Sequence, residues 1–186
     1  RSNGGRVVSN YGLWFGSEWH SPDSTAPNRI LGPIEGQIGE VMAEPNVLAI
    51  AGGVGGAKLV VGLSRSMFPE NLTVAVNTGD DETFHGLHVS PDLDSVTYAL
   101  AGMTNPQTGW GIATDSFRTL GALERLGGET WFALGDLDFA THLRRTELLA
   151  GGASLTQATA EITKQLGIEV QIVPMTDEPV RTIAVT

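Results

Sequence analysis

The chain has 186 residues, a formal net charge of −10 at pH 7 and no cysteine. The absence of cysteine excludes disulfides and thiolate metal sites, and the acidic balance disfavours a general nucleic-acid binder, which needs lysine and arginine to contact phosphates. Because no apolar run reaches the roughly 18 residues of a membrane helix and no secretion signal is visible, we expect a cytoplasmic protein without a nucleic-acid or membrane partner.

Residues 1–45 differ in composition from the rest of the chain. They mix Gly, Ser and Pro with the aromatic residues Trp14, Phe15 and Trp19, without helical or alternating periodicity. This composition predicts a loop-rich extension that is either disordered or foreign to the native protein. Packing of the aromatic residues on the neighbouring domain is the alternative. We place the domain boundary here, with residues 46–186 as the second domain.

The second domain begins with a strand, a glycine turn, a helix and another strand. Residues 47–51 are a short apolar run typical of a buried parallel strand. Apolar spacing predicts a helix over residues 57–67, and residues 72–76 form the next apolar run. This βαβ unit predicts an α/β fold with a doubly wound, mainly parallel sheet and a right-handed crossover.

The later elements are assigned from apolar spacing and from capping and turn residues. Asp136 is predicted as a helix N-cap, and Ser154 with Gln157 has the spacing of a capping box. The assigned elements are a loop at 77–86, strands at 87–89, 130–134, 168–173 and 181–186, and helices from 91, over 115–126, over 136–149 and over 154–166. Because the chain ends inside a predicted strand, we expect it to be truncated at its C-terminus.

A glycine-rich turn joins the first strand of this domain to the first helix. Gly52, Gly53, Gly55 and Gly56 would let the backbone approach a phosphate, and the helix N-terminus offers free N–H groups. The fingerprints match only in part, because Lys58 stands where the dinucleotide motif has its third glycine and the P-loop hydroxyl is missing. We predict a phosphate-binding turn to which Lys58 adds a charge. A turn without a ligand and a solvated lysine are the alternatives.

Two acidic motifs follow strand ends, at the edge where open α/β sheets bind ligands. In the first, Asn77 and Thr78 precede Asp80 and Asp81. Paired carboxylates near a phosphate require a cation, and Mg²⁺ is the hard, oxygen-seeking ion that accompanies phosphates. An ordinary turn is the alternative.

The second acidic motif runs from Ser90 to Ser95 and coincides with a predicted helix start. Pro91 and Asp92 suit a first helical turn, so Asp92 is interpreted as a plain helix-start residue. Asp94 is predicted to complete a metal or hydroxyl site with Asp81 if the two loops converge.

A third polar segment surrounds Asp136. His142 and Arg145 are three residues apart and therefore share a helix face, from which both could reach an anionic ligand. For His142 we favour a solvated position. His85 and His88 lack a third ligand, so no zinc site is predicted.

The order of these motifs resembles that of the 2-phospho-L-lactate transferase family. The resemblance covers residues 46–186, and family members are longer, so the chain is expected to lack their C-terminal half. The matching motifs are Gly-Gly-x-Gly-Gly-x-Lys at 52–58, Asn-Thr-Gly-Asp-Asp at 77–81, Ser-Pro-Asp-Leu-Asp at 90–94, Gly-Trp-Gly at 109–111, Leu-Gly-Asp-x-Asp-x-Ala-Thr-His-Leu at 134–143, Gly-Ala-Ser-Leu-Thr at 152–156 and the segment 174–180.

The resemblance implies a Rossmann-like nucleotide-binding core, Mg²⁺ dependence and a homodimer. The implied reaction moves a phospholactyl or phosphoenolpyruvyl group from a guanosine diphosphate donor to the deazaflavin Fo, with release of GMP, in coenzyme F420 biosynthesis. The site residues expected from the motifs and the resemblance are Asp81 and Asp94 for catalysis, Asp80, Asp81 and Asp94 for Mg²⁺, and Gly52, Gly53, Gly55, Gly56, Lys58, Asn77, Thr78, Asp94, Asp136 and Arg145 for the substrates.

One position departs from the family pattern, and three rival interpretations remain. Leu137 stands where many relatives have an arginine that is expected to contact Fo, which puts the acceptor in doubt. The first rival is a non-catalytic nucleotide-sugar-binding regulator of the same superfamily, disfavoured because Glu82–Gly86 replaces its Gly-Ser-Ser-Gly run. An NAD-dependent dehydrogenase is disfavoured by the broken fingerprint. An inactive fragment is the third rival.

Overall fold

The computed structural model describes residues 13–15, 18–20 and 45–183. The chain divides into two compact units, Arg1–Met42 and Ala43–Thr186. In the first unit, strands β1 (Leu13–Phe15) and β2 (Glu18–His20) form an antiparallel pair, which the composition did not predict. The remainder of the predicted loop-rich extension lies outside the described residues.

The second unit is a mixed α/β fold, as predicted. Its sheet has the strand order β3-β4-β7, and both outer strands run parallel to the central strand β4. In this register Ala49 pairs with Val74, and Val74 pairs with Ile172 on its other side. The elements are β3 (Val47–Ala51), α1 (Val54–Ser64), a 3₁₀ helix (Pro69–Asn71), β4 (Leu72–Val76), β5 (Glu82–Phe84), β6 (Leu87–Val89), α2 (Pro91–Leu100), α3 (Arg118–Arg125), α4 (Asp136–Ala150), α5 (Leu155–Gln165) and β7 (Gln171–Pro174).

The βαβ unit β3-α1-β4 carries the core. Both strands have the predicted bounds, whereas α1 begins at Val54, three residues before the predicted start, because the glycines already adopt helical backbone. No described helix combines the length and apolarity needed to cross a membrane. The core is built from small and branched apolar side chains: Ala49, Ala51, Ala57, Val60, Leu72, Val74, Val76, Leu93, Val96, Leu155, Val170 and Ile172.

Strand β3 is buried on one face only. Ala49 and Ala51 face the core, whereas Leu48 and Ile50 are 63% and 70% exposed. The prediction of a fully buried strand was therefore wrong for one face, because an apolar run alone does not say whether both faces of a sheet are covered.

The predicted strand over residues 130–134 is absent. This stretch is irregular, and its aromatic side chains pack on the β5–β6 hairpin: the rings of Phe132 and Phe84 stack at 4.3 Å, and Trp131 meets Phe84 edge-on at 5.4 Å. Aromatic residues with high strand propensity thus serve tertiary packing instead. Residues 181–183 are also not a strand, and residues 184–186 lie outside the described part of the chain.

Helix ends follow the capping signals in one case and depart from them in another. The capping box of α5 is confirmed, since Ser154 Oγ accepts from the Gln157 N–H and Gln157 Oε1 accepts from the Ser154 N–H. The N-cap of α4, however, is Gly135 and not Asp136. A side chain at Gly135 would collide with Asp115, since an added Cβ would lie 2.1 Å from its Oδ2.

Asp136 instead caps the neighbouring helix. Its carboxylate accepts hydrogen bonds from the N–H groups of Arg118 and Thr119 at 3.1 and 2.8 Å, in the first turn of α3. In return, Asp115 accepts from the N–H groups of Leu137 and Asp138 at 2.9 and 3.1 Å, in the first turn of α4. We call Asp115 and Asp136 the reciprocal caps, because Asp136 satisfies free N–H groups at the start of α3 and Asp115, just before α3, satisfies those at the start of α4.

Candidate active site

A cavity of about 550 Å³ lies between the glycine turn, the start of α2 and one face of α4. Its wall is mainly apolar, with a few convergent polar groups, which is the usual character of a small-molecule site. The polar side chains are Asp92, Asp94, Ser95, Asp138 and His142, and the aromatic ones are Tyr98, Trp110, Trp131 and Phe132.

The glycines of the turn serve different purposes. An added Cβ at Gly56 would lie 2.9 Å from Ala51 Cβ and 3.0 Å from Ala51 Cα, so this position needs glycine for packing, whereas one at Gly53 would lie 2.7 Å from Asp92 Oδ1 and would displace that carboxylate. Among the described residues, no atom lies within 4 Å of a Cβ added at Gly55, so the space beside its backbone is open. Gly53 lines the cavity, whereas the exposed Lys58 lines a separate groove beside α1.

Asp92 links the glycine turn to the first acidic motif. Its Oδ2 accepts a 2.9 Å hydrogen bond from Asn77 Nδ2, and an added Cβ at Gly52 would lie 3.5 Å from the same oxygen. The interpretation of Asp92 as a plain helix-start residue was therefore incomplete. The helix start was sufficient to explain this residue locally, and only the tertiary contact reveals the link.

Asp81 is held at the edge of a second cavity of about 320 Å³. Its Oδ2 accepts from Ser90 Oγ at 2.7 Å and lies 3.1 Å from His88 Nε2. Its Oδ1 is buried and has no hydrogen-bond partner among the described residues, and the same holds for the Oγ1 of the buried Thr78 beside it. Asp80, in contrast, is exposed.

Five charged or titratable side chains meet between α2 and α4. Asp94, His142 and Arg145 are buried to 5%, 1% and 3% exposure, and Asp138 and Tyr98 adjoin them. The prediction that His142 is solvated was wrong, because this face of α4 packs towards α2. The shared face of His142 and Arg145 is confirmed, with 3.4 Å between His142 Nδ1 and Arg145 Nη1. We call these five residues the buried polar cluster.

Two separate sets of hydrogen bonds hold the cluster. Both terminal nitrogens of Arg145 donate to Asp94, with 3.2 Å between Nη1 and Oδ2. Asp138 Oδ1 accepts from the Tyr98 hydroxyl at 2.6 Å and lies 3.3 Å from His142 Nε2, which has no hydrogen-bond partner among the described residues. The i to i+4 spacing of Asp138 and His142 was the sequence signal for this pair.

The surroundings shift three pKa values in this cluster. Burial, together with the carboxylates of Asp94 and Asp138, raises the pKa of Tyr98, so its hydroxyl acts as a donor. Burial alone would raise the pKa of Asp138, but His142 and the Tyr98 hydroxyl outweigh it and the pKa is lowered. For Arg145, burial would lower the pKa, but Asp94 outweighs burial and raises it.

The structure arranges the predicted metal ligands differently from the expectation. Among the described residues, the group of three whose carboxylate and imidazole atoms all lie within 4.8 Å of one another consists of Asp94, Asp138 and His142, and not of Asp80, Asp81 and Asp94. Arg145 already supplies positive charge at Asp94. The buried Oδ1 of Asp81 has no hydrogen-bond partner in the described part of the chain, and an unpartnered carboxylate oxygen is the kind of ligand that a hard cation such as Mg²⁺ takes.

Of the remaining predicted substrate residues, the structure brings Gly52, Gly53 and Asn77 together around Asp92. Gly55 faces open space, Thr78 lies with Asp81, and Asp136 is occupied as a cap.

Comparison with known proteins identifies similar chains. The family model described as 2-phospho-L-lactate transferase CofD matches residues 47–186. A 2-phospho-L-lactate transferase of Methanocorpusculum labreanum is 42% identical over 139 residues, which cover 75% of this chain and 46% of that protein. A phosphoenolpyruvate transferase of Kitasatospora aureofaciens is 42% identical over 138 residues, which cover 73% and 43%.

The chain thus spans about half the length of the curated relatives that it matches. Among solved structures, a member of the UPF0052 family from Bacillus halodurans is similar with a TM-score of 0.44 and 20% identity, covering 73% of this chain and 41% of that one.

Proposed function

Because the chain belongs to the 2-phospho-L-lactate transferase CofD family, we propose that the complete protein transfers a phospholactyl or phosphoenolpyruvyl group from a guanosine diphosphate donor to the deazaflavin Fo, in coenzyme F420 biosynthesis. GMP is the other product. Relatives with both transferase names are 42% identical to this chain, so the three-carbon acid is left open between lactate and enolpyruvate.

The observation that carries this proposal is a single cavity that joins the glycine turn to buried carboxylates and aromatic walls. Gly53 lines one side of it, and Asp94 and Asp138 line another. Trp110 and Trp131 provide faces on which a flat tricyclic ring can stack. A donor phosphate at the turn and a ribityl chain at the carboxylates would therefore meet inside one space.

The proposed chemistry is attack at phosphorus. A ribityl hydroxyl oxygen of Fo bonds to the phosphorus that carries the three-carbon acid, the bond from that phosphorus to the GMP oxygen breaks, and the hydroxyl proton is lost. Positioning and charge neutralisation dominate such transfers. Asp94 is proposed to accept hydrogen bonds from the ribityl hydroxyls. The glycine turn, Asn77 and Thr78 are proposed to hold the donor.

Magnesium belongs to the same proposal. Asp81 would hold the ion through its buried Oδ1. Asp80 and Asp94, the other ligands predicted from the sequence, do not form a close group with Asp81 in this structure, so the proposal takes Asp81 as the ligand. Bound Mg²⁺ would neutralise donor phosphate charge beside these carboxylates. Leu137 is 52% exposed and is not among the residues that line the larger cavity, so the proposal does not use it for acceptor binding.

Turnover by the complete protein tests the proposal. Fo is incubated with each guanosine diphosphate donor and Mg²⁺, and GMP and the new phosphodiester are measured by mass spectrometry. We expect both products in equal amounts, and none with EDTA. Nucleotide binding without any transfer would instead favour the non-catalytic regulator, and full turnover in EDTA would contradict the role of Mg²⁺.

A matched pair of glycine variants tests the donor site. Gly55 and Gly62 both lie in α1, and neither has an atom within 4 Å of an added Cβ. Gly55→Val should therefore weaken GDP binding in calorimetry through lost backbone approach, whereas Gly62→Val should leave it unchanged. Equal affinity in both variants would contradict phosphate binding at the turn.

A further inference from the structure

Arg145 was expected from the sequence to contact an anionic substrate, and its surroundings argue against that. Its side chain is 4% exposed, and it is not among the residues that line the 550 Å³ cavity. Both of its terminal nitrogens donate to Asp94. The guanidinium therefore lies behind the carboxylate, on the side away from the cavity that Asp94 lines.

Arg145 also contacts the neighbouring histidine. Its Nη1 lies 3.4 Å from His142 Nδ1, and the same ring nitrogen lies 3.6 Å from Asp94 Oδ2. A guanidinium can only donate, so the arginine offers a proton both to Asp94 and to this nitrogen. Arg145 thereby binds the carboxylate of Asp94 directly and holds the imidazole ring beside it.

We propose that Arg145 is a positioning residue for the transfer: it fixes Asp94 in the orientation that meets the acceptor hydroxyls and never touches a substrate itself. The inference rests on the proposed function, because it takes Asp94 as the group that contacts the acceptor. A bidentate guanidinium fixes the plane of a carboxylate as well as its position. The remaining lone pairs of Asp94 are then directed to the cavity before any ligand binds.

A double-mutant cycle separates this role from direct substrate contact. Arg145→Lys keeps the charge but loses the two-pronged geometry, so we expect kcat to fall about tenfold through misplacement of Asp94, with the KM for the guanosine donor unchanged. In the Asp94→Asn background, the same lysine substitution should have no further effect. Additive losses would overturn the proposal, because they would mean that Arg145 acts on substrate independently of Asp94.

Two further variants keep the test decisive. Arg144→Lys is the matched control on the same helix, since Arg144 is 48% exposed and pairs with Glu147, and it should retain full turnover. If Arg145→Lys does not fold, the pair Asp94→Asn/Arg145→Gln removes both buried charges together. Turnover equal to that of Asp94→Asn supports the proposal, and a further tenfold loss overturns it.

The wild-type assay separates failure of this inference from failure of the proposed function. If the wild-type complete protein transfers no group to Fo, the proposed function fails, and the same cycle is then measured on Fo binding by fluorescence. Non-additive effects of the two positions on Fo affinity still support the positioning role. Additive effects, or an effect of Arg145→Lys with none from Asp94→Asn, overturn it.

Discussion

Helix α4 presents two carboxylates, two residues apart, to two different environments. Asp136 lies at the surface and accepts from backbone N–H groups of α3. Asp138 lies in the buried polar cluster and accepts from the Tyr98 hydroxyl. The same residue type thus closes a helix junction in one place and lines a cavity in the other, so its partners and its burial decide its role.

The reciprocal caps and the buried polar cluster also differ in their effect on the stability of the fold. The reciprocal caps satisfy N–H groups that would otherwise need water, and they remain accessible to solvent. The buried polar cluster removes several charges from water, which is unfavourable unless every charge is paired. A protein that keeps such a cluster beside a cavity has the arrangement typical of a functional site.

The largest expected effect is on stability, at Arg145. Arg145→Met leaves Asp94 buried without its partner, so we expect the free energy of unfolding to fall by about 3–5 kcal/mol in urea denaturation. The neighbouring Arg144→Met removes an exposed pair with Glu147 and should cost less than about 1 kcal/mol. If the two variants lost similar amounts of unfolding free energy, the buried arginine would contribute no more to stability than the exposed one, which would contradict the comparison.

The next effect is on catalysis. Asp94→Asn and Asp81→Asn should each reduce turnover of the complete protein at least a hundredfold, or about 2.7 kcal/mol of transition-state stabilisation. Asp115→Asn, in the reciprocal caps, should change turnover less than about twofold while an amide oxygen still caps α4. Near-normal turnover in Asp94→Asn would mean that the buried carboxylate is structural.

The smallest effect is a pH dependence at Asp136. Hydrogen bonds from Ser116 and from the N–H groups of Thr119 and Arg118 lower its pKa. A lowered folded pKa gives stability that is present above the ordinary aspartate pKa of about 4 and is lost as pH falls below it. Asp136→Asn should therefore lower Tm by a few degrees at pH 7, and the difference in Tm between the variant and the wild type should be smaller at pH 3.

The control for this comparison is Glu124→Gln, which removes one exposed charge from α3. Its Tm should follow that of the wild type at both pH values in differential scanning calorimetry. A gap for Asp136→Asn that stays constant with pH would show that its carboxylate is not charged when it caps α3.

Local patterns in the sequence predicted local structure well. The bounds of β3 and β4 and the capping box at Ser154 are confirmed, because each depends on residues adjacent in the chain. The family and the α/β class also follow from the sequence. The burial of His142 and the stacking of Phe132 on Phe84 could not be predicted, because they depend on which helix or hairpin packs opposite.

In the candidate site, too, local motifs were predicted and contacts between distant residues were not. The motifs directed attention to Asp94 and the glycine turn, which line one cavity. They did not indicate that Asp92 accepts from Asn77, nor that Arg145 donates to Asp94, because these contacts join residues that are 15 and 51 positions apart.

Two neighbouring glycines of the turn allow a selection experiment to separate the requirements of folding from those of ligand binding. Position 56 has no room for a side chain beside Ala51, whereas position 55 faces open space. In a library randomised at both positions, selection for folded protein alone should retain glycine at 56 and accept many residues at 55. Selection for growth that depends on the enzyme should then fix glycine at 55 as well. Comparing the residues enriched in the two selections would show which positions are constrained by ligand binding and which by folding.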